Sequence, residues 1–309
     1  MIEVMSLAEL APIVPGQLHG EDVSFNQVSI DTRTIEIGDL YLALEGEHFD
    51  GHKFVSDAVA KGCSGLVVSK TNAELEGLSN PYLLVNNTET ALASLAATNR
   101  QKFKGALVGL TGSSGKTSTK NMLAAVLADK GNTAATKGNH NNEIGVPLTL
   151  LALSSENEFS VVEMGARAPG DISYLSNIVK PDVALVLNAG EAHLEIFGDY
   201  ETIVATKGEI YDSLGESGVG VVNFDDPAYV TWSERLNGKK MISFSSHSNS
   251  ADVHATGLKC YAEGSDFELH YLGDCVSVSL PTPGKHQVQN ALATAAVSVS
   301  LGLSLKVIS

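Results

Sequence analysis

The sequence predicts an α/β protein of two domains: a small N-terminal α/β unit, then a larger three-layer α/β/α unit on a mostly parallel sheet. Three observations predict it. Short β-like runs alternate with amphipathic helical stretches along most of the chain, the pattern of parallel strands joined by crossover helices. The 309 residues are twice the ~150 of an average domain. Glycine is abundant, at 29 residues, and 43% of the chain is hydrophobic, enough to bury sizeable cores and to exclude global disorder.

In the N-terminal segment, Leu40–Leu44, Gly65–Ser69 and Tyr82–Asn86 are predicted strands. Phe54, Val55, Ala58 and Val59 fall at helical spacing, and Gly62 is a natural C-cap for that helix. A helix follows Asn87 and Thr88 to about Arg100. The boundary is placed after the last small-domain strand, giving domains 1–86 and 87–309.

The larger unit opens with the strand Ala106–Leu110 and the helix Thr117–Lys130, whose buried stripe is Met122, Leu123, Val126 and Leu127. Strands recur at Ser160–Glu163, Asp182–Leu187 and Gly218–Asn223. From Asp252 to Leu280 the texture becomes that of β-hairpins, turning at Glu263-Gly264-Ser265 and Gly273-Asp274. A helix from about His286 to Leu301 carries Val288, Leu292, Ala295 and Val299 on one face. After Gly302, Leu303–Ile308 begins an apolar element with nothing evident to pack on.

The net charge of −16, from 20 basic and 36 acidic residues, disfavours a general nucleic-acid or membrane binder. Cys63, Cys260 and Cys275 are too scattered for a disulfide framework or a zinc site and are expected to be small buried hydrophobes. No signal-peptide pattern is present, and Ala291–Leu305 is too short and too interrupted to span a bilayer. A cytoplasmic monomer is expected.

The string Thr111-Gly112-Ser113-Ser114-Gly115-Lys116-Thr117-Ser118 lies between a predicted strand and a predicted helix. That context makes it a phosphate loop of the P-loop type, with backbone N–H groups and a helix N-terminus facing an anion. Lys116 would bridge the β- and γ-phosphates of a nucleotide, and the Thr117 hydroxyl would ligate Mg²⁺. One departure stands out: the standard pattern needs glycine where Leu110 is found. A tight glycine turn ahead of a capped helix is the plain alternative.

Glu163 ends a predicted strand and would lie close to this loop, where a carboxylate holds Mg²⁺ directly or through water. His193 follows the strand Asp182–Leu187, and a structural histidine is as good a reading as a ligand. Lys207 is more informative. In the predicted helix Tyr200–Leu214 the apolar positions are Ile203, Ile210, Tyr211 and Leu214, and at ~100° per residue Lys207 projects from the middle of that stripe. Burial lowers an amine's pKa and makes it nucleophilic. A snorkelling lysine fits the same pattern.

These strings occur in order with Gly138-Asn139-His140-Asn141-Asn142-Glu143, Glu163-Met164-Gly165, Ala192-His193-Leu194-Glu195, Lys207-Gly208-Glu209-Ile210 and Pro283-Gly284-Lys285-His286. Together the motifs resemble the Mur ligases of peptidoglycan synthesis, and most closely the branch joining D-alanyl-D-alanine to UDP-N-acetylmuramoyl-tripeptide. Ser29-Ile30-Asp31-Thr32-Arg33 and Phe49-Asp50-Gly51-His52 resemble that branch's uridine-nucleotide domain. The resemblance covers essentially the whole chain.

It implies an ATP-dependent amide ligation through an acyl phosphate. Catalytic roles would fall to Lys116, Glu163, His193 and Lys207. Two Mg²⁺ ions would be held by Thr117, Glu163, His193 and a carbamylated Lys207, and Asn290 would lie near adenine. Asp31, Thr32, Arg33, His52, Asn139, Asn141 and Asn142 would serve the UDP substrate. Other readings of the same residues remain: solvent exposure for Asn290, turn positions for the asparagines, a surface ion pair for Arg33. Asp171 stands where the family usually has glutamate. The family's C-terminal domain is expected to be absent, and ligation by this chain correspondingly poor. Two other functions compete. A nucleotide switch or kinase would explain the loop and Glu163, but not the uridine-type domain or the inward lysine. A non-catalytic fragment would hold UDP-sugar and ATP without turnover.

Overall fold

The computed structural model describes residues 1–46, 49–71, 75, 77–190 and 197–308. Contacts divide the chain into two units, Met1–Phe103 with Glu143–Ser155, and Lys104–Asn142 with Glu156–Ser309.

The first unit contains β1 (Met5–Ser6), α1 (Leu7–Leu10), β2 (Gly16–His19), β3 (Ser24–Phe25), β4 (Val28–Ser29), β5 (Leu40–Leu42), α2 (Val55–Ala60), β6 (Gly65–Val68), β7 (Tyr82–Val85) and α3 (Thr88–Lys102). Its sheet runs β2-β7-β6-β5-β4, parallel except for β2. The predicted strands are present as β5, β6 and β7, each slightly shorter than expected. The strands before residue 30 are too short to show alternation. Tyr41, Ala43, Val55, Ala58, Leu66 and Val68 form the core.

Asn87 caps α3, its Oδ1 accepting the Thr90 N–H at 2.9 Å. Further along that helix, buried Asn99 donates to the Leu150 carbonyl at 2.8 Å and accepts from the Ile2 N–H at 2.9 Å. These bonds tie α3 to the first unit, together with the helix Gly145–Leu151. The contact division therefore falls after Phe103, not at the expected 86/87.

The second unit begins with β8 (Ala106–Thr111), α4 (Lys116–Ala128), β9 (Thr133–Ala135), β10 (Phe159–Glu163), α5 (Asp171–Val179) and β11 (Val183–Val186). It continues with α6 (Tyr200–Gly208), β12 (Val219–Asn223), α7 (Tyr229–Leu236), β13 (Lys240–Ser245), the hairpin strands β14 (Val253–Cys260), β15 (Ser265–Tyr271) and β16 (Asp274–Leu280), α8 (Lys285–Ser300) and α9 (Leu305–Ile308). The sheet order is β16-β15-β14-β13-β12-β11-β8-β10-β9, parallel up to β14 and antiparallel through the hairpins. β10 and β11 flank β8 on opposite sides, so the strand order reverses there and opens a crevice at the strands' carboxyl ends.

Three expectations need correction, and one open alternative, solvent exposure for Asn290, is excluded. The helix expected over 200–214 ends at Gly208 and continues as a 3₁₀ turn, Glu209–Ser213. The Leu303–Ile308 segment does have a partner: Leu305 is buried in the sheet's main core, with Leu303 and Ile308 packed on it. Asn290 is not exposed, because α8 packs against α4 as well as the sheet and is buried nearly all round. Of the cysteines only Cys63 is buried; Cys260 and Cys275 lie exposed on the hairpin strands. Among the described residues no helix is long and apolar enough to cross a membrane.

Candidate functional site

Strand β8 delivers the phosphate loop into the crevice. Leu110, where the standard loop has glycine, is still inside the strand and fully buried, so a side chain there belongs to the core. Gly115 is a genuine requirement. Its φ is +80°, and a Cβ there would stand 2.5 Å from Asn290 Oδ1.

The loop's leading edge is laced to the segment after β11. Ser113 N–H donates to the Asn188 carbonyl at 3.1 Å, and Ser114 N–H to Asn188 Oδ1 at 3.0 Å. Asn188 Nδ2 returns a bond to the Ser114 carbonyl at 3.2 Å, and Gly190 N–H donates to Ser113 Oγ at 2.9 Å. Those loop N–H groups are thus engaged, whereas the amides that open α4 have no intrahelical acceptor. Lys116 folds back onto the loop, its Nζ donating to the Gly112 carbonyl at 2.7 Å. Burial lowers its pKa, and the nearby Glu163 charge partly restores it.

Glu163 is 1% exposed at the carboxyl end of β10. The Thr117 hydroxyl donates to its Oε2 at 3.1 Å, and Asn141 Nδ2 donates to its Oε1 at 2.8 Å. A buried carboxylate facing a threonine hydroxyl is the hard oxygen donor set that suits Mg²⁺. Behind it lies Lys120, likewise buried, with Nζ 3.7 Å from Glu163 Oε2.

Lys207 is 4% exposed on α6, as the inward reading requires, and its Nζ lies 5.8 Å from the Phe197 ring centroid. Burial, then the charge of Lys116, push its pKa down to about 8, against the opposing pull of Asp171 and Glu209. Both acids have structural partners. Glu209 accepts from the Gly170 and Ser173 N–H groups at the start of α5, at 3.0 and 2.8 Å. Asp171 accepts from the Arg167 and Ala168 N–H groups, at 2.7 and 2.8 Å. His193 lies outside the described residues.

Beyond the loop, Ser114, Gly115, Leu187, Phe244, Gln289 and Asn290 border a cavity of about 260 Å³. Asn290 is thus beside the phosphate loop, its Nδ2 donating to Gln287 Oε1 at 3.1 Å. Of the asparagine loop, Asn141 reaches Glu163, Asn142 is half-buried and Asn139 is an exposed turn residue whose carbonyl accepts Asn141 N–H at 2.8 Å.

In the first unit, Asp31, Thr32 and Arg33 line a cavity of about 440 Å³ with Tyr41, Phe49 and Phe54. The Phe49 and Phe54 rings stack with centroids 5.6 Å apart. Arg33 makes the surface ion pair, with Nη2 2.6 Å from Asp31 Oδ2, and its hydrogen bonds hold the Asp31 carboxyl at about 2. His52 stands apart from this cavity's lining. Both its ring nitrogens are engaged: Nδ1 lies 2.8 Å from Asp50 Oδ1, and Nε2 accepts the Ser69 N–H at 3.0 Å. With both ring nitrogens partnered and the residue 2% exposed, His52 is a satisfied core histidine.

Two family models match the chain: the Mur ligase middle domain over residues 110–298, and the Mur ligase family catalytic domain over residues 24–100. The chain belongs to the Mur ligase family. It is 41% identical over 308 residues to the UDP-N-acetylmuramoyl-tripeptide--D-alanyl-D-alanine ligase of Escherichia coli (strain K12), an alignment covering 100% of this chain and 67% of that one. The enzyme of the same name from Bacillus subtilis (strain 168) is 34% identical, covering 97% and 64%. Among solved structures, MurF from Acinetobacter baumannii superposes with a TM-score of 0.92 at 36% identity, covering 99% of this chain and 67% of that one. MurF ligase from Thermotoga maritima in complex with ADP gives 0.81 at 32% identity, covering 90% and 64%. The chain therefore spans about two thirds of the length of these Mur ligases.

Sequence reasoning missed Lys120, Asn188 and Glu209 in this Mur-family site. Lys120 had a signal. It precedes Leu123 by three residues and Leu127 by seven, so it shares the buried stripe of α4. Glu209 falls within the Lys207-Gly208-Glu209-Ile210 string without a role of its own there; like Asn188, it acts on a backbone that only the packing brings alongside.

Proposed function

We propose that this chain acts as an ATP-dependent amide ligase, joining D-alanyl-D-alanine to UDP-N-acetylmuramoyl-tripeptide. The observation that carries the proposal is the convergence of Lys116, Thr117 and Glu163 in the crevice beside β8. Nucleotide phosphates would lie against the first turn of α4, with Lys116 leaving the Gly112 carbonyl to meet them. Thr117 and Glu163 would hold one Mg²⁺, and a second would take His193 and a carbamylated Lys207. Bound there, Mg²⁺ would neutralise the charge crowded between ATP and a substrate carboxylate.

In the reaction, an oxygen of the tripeptide's terminal carboxylate takes the γ-phosphoryl group of ATP, and ADP leaves. The dipeptide amine then attacks the acyl carbon, inorganic phosphate departs with the C–O bonding pair, and the amine loses a proton. The buried Lys207 amine is held partly neutral, as carbamylation by CO₂ requires. Asn290, which borders the cavity beside the loop, would lie near adenine. The Asp31–Arg33 cavity would take the uridine nucleotide, with Phe49 and Phe54 as an aromatic wall and Arg33 as a cation for its diphosphate.

The test is phosphate release by the purified chain with Mg²⁺–ATP. Release that needs both UDP-N-acetylmuramoyl-tripeptide and D-alanyl-D-alanine, with amide product found by mass, supports the ligase. Release that depends on neither assigns a nucleotide switch, and no release even with both substrates present overturns catalysis by this chain.

A further inference from the structure

Lys120 is 2% exposed, one turn beyond Lys116 on α4, and neither the phosphate contacts nor the metal carboxylate requires it. A buried ammonium is costly unless it is both paired and hydrogen-bonded. Here it is both. Its Nζ donates to the Gly138 carbonyl at 2.6 Å while facing Glu163 Oε2 at 3.7 Å. Gly138 has φ +54° and opens the loop that carries Asn139, Asn141 and Asn142. The far end of the same loop is held independently: Asn141 Nδ2 donates to Glu163 Oε1 at 2.8 Å, and the Asn141 carbonyl accepts the Gly165 N–H at 2.8 Å. Both ends of the loop are thus referred to one carboxylate, the entrance through Lys120 and the exit through Asn141.

We infer that Lys120 is a positioning residue that ties the Gly138–Asn142 loop to the phosphate-loop helix and to Glu163, so that the loop is set before any ligand arrives. A lysine suits the task. Its long stem crosses the gap from α4, so that one donor serves the Gly138 carbonyl while the charge faces the Glu163 carboxylate. Preorganising the loop removes an ordering cost that binding would otherwise carry. The inference rests on the ligase reading, which makes Glu163 the metal carboxylate and this loop substrate-facing.

Hydrogen–deuterium exchange on the full 309-residue chain tests it. Lys120→Met alone strands a buried carboxylate, so the decisive comparison is Glu163→Gln against the double variant Lys120→Met/Glu163→Gln, which removes both charges. The expected result is about tenfold faster exchange over residues 138–142 in the double variant than in Glu163→Gln, with β14–β16 unchanged. Equal exchange in the two, or faster exchange throughout the second unit, would overturn the inference and leave Lys120 a general stabiliser. Calorimetry of the wild type with Mg²⁺–ADP separates the two ideas. A chain that fails to bind it loses the ligase reading, whereas the exchange comparison bears on the tether alone.

Discussion

The Thr117 hydroxyl lies 3.1 Å from Glu163 Oε2, although 46 residues separate the two in sequence. One stands in the first turn of α4 and the other at the end of β10, and the β8–β10 register, which pairs Glu163 with Leu110, makes them neighbours.

If this pair holds the first Mg²⁺, Glu163→Gln keeps the shape and loses the charge. The nucleotide affinity gained on adding Mg²⁺ should fall about 10- to 100-fold, the worth of a charge-assisted contact, while affinity for metal-free ADP barely changes. Calorimetric titrations with and without Mg²⁺ read both numbers. Equal losses in the two titrations would place the metal elsewhere.

Lys207, lowered to about 8 chiefly by burial, gives two pH signatures. Only a neutral amine attacks CO₂, and its share rises from roughly a tenth at pH 7 to roughly nine tenths at pH 9. At fixed CO₂ pressure, a ¹³C carbamate signal should therefore grow over that range and vanish in Lys207→Arg. A signal that survives the substitution belongs to another amine. The folded pKa also lies below the unfolded value of 10.5, so between about 8 and 10.5 the unfolded chain binds more protons. In the absence of CO₂, stability from this group should rise with pH across that window, and Lys207→Met should flatten the slope in urea titrations.

Leu110→Gly restores the standard loop pattern but empties a fully buried strand position. The cavity and the added backbone freedom should together cost about 3–5 kcal/mol. Urea denaturation at pH 7 measures it, and a loss below about 1 kcal/mol would mean that the loop, not the core, owns this residue.

The two candidate pockets draw on residues of different units, which makes substitutions in them separable. Lys116→Ala should remove measurable ATP affinity and leave UDP-substrate affinity within about threefold, as for sites without shared partners. Arg33→Ala should do the reverse. Parallel losses of both ligands in either variant, in a protein that still melts cooperatively, would contradict the assignment of one ligand to each pocket.

Much of this architecture is legible from local pattern. The β8–loop–α4 unit is written in consecutive residues, because an apolar strand, a glycine turn and a helix start are each short-range consequences of side-chain type. The period also put Lys207 on an apolar stripe, but left an inward and a snorkelling head equally open; its 4% exposure decides for the inward one. Periodicity leaves the choice open where two surfaces cover one helix. Asn290 lies opposite the apolar stripe of α8, yet packing against both α4 and the sheet leaves it 5% exposed. The Leu303–Ile308 segment shows the converse, an apolar run without a visible partner that finds one in the core.

The sequence by itself determined the α/β class, the parallel sheet with its hairpin extension, the glycine loop between β8 and α4 and the family to which the chain belongs. These follow from period, glycine placement and motif order, all carried by neighbours along the chain. Only the tertiary structure decided which groups meet: Glu163 with Thr117 and Lys120, Asn188 with the loop backbone, Glu209 with the start of α5. It also decided that His52 is a satisfied core residue and that Arg33 is engaged by Asp31. The physical reason is that hydrogen bonds and ion pairs act over about 3–4 Å. Sheet register and helix packing set such distances between residues far apart in sequence, and no local pattern encodes them.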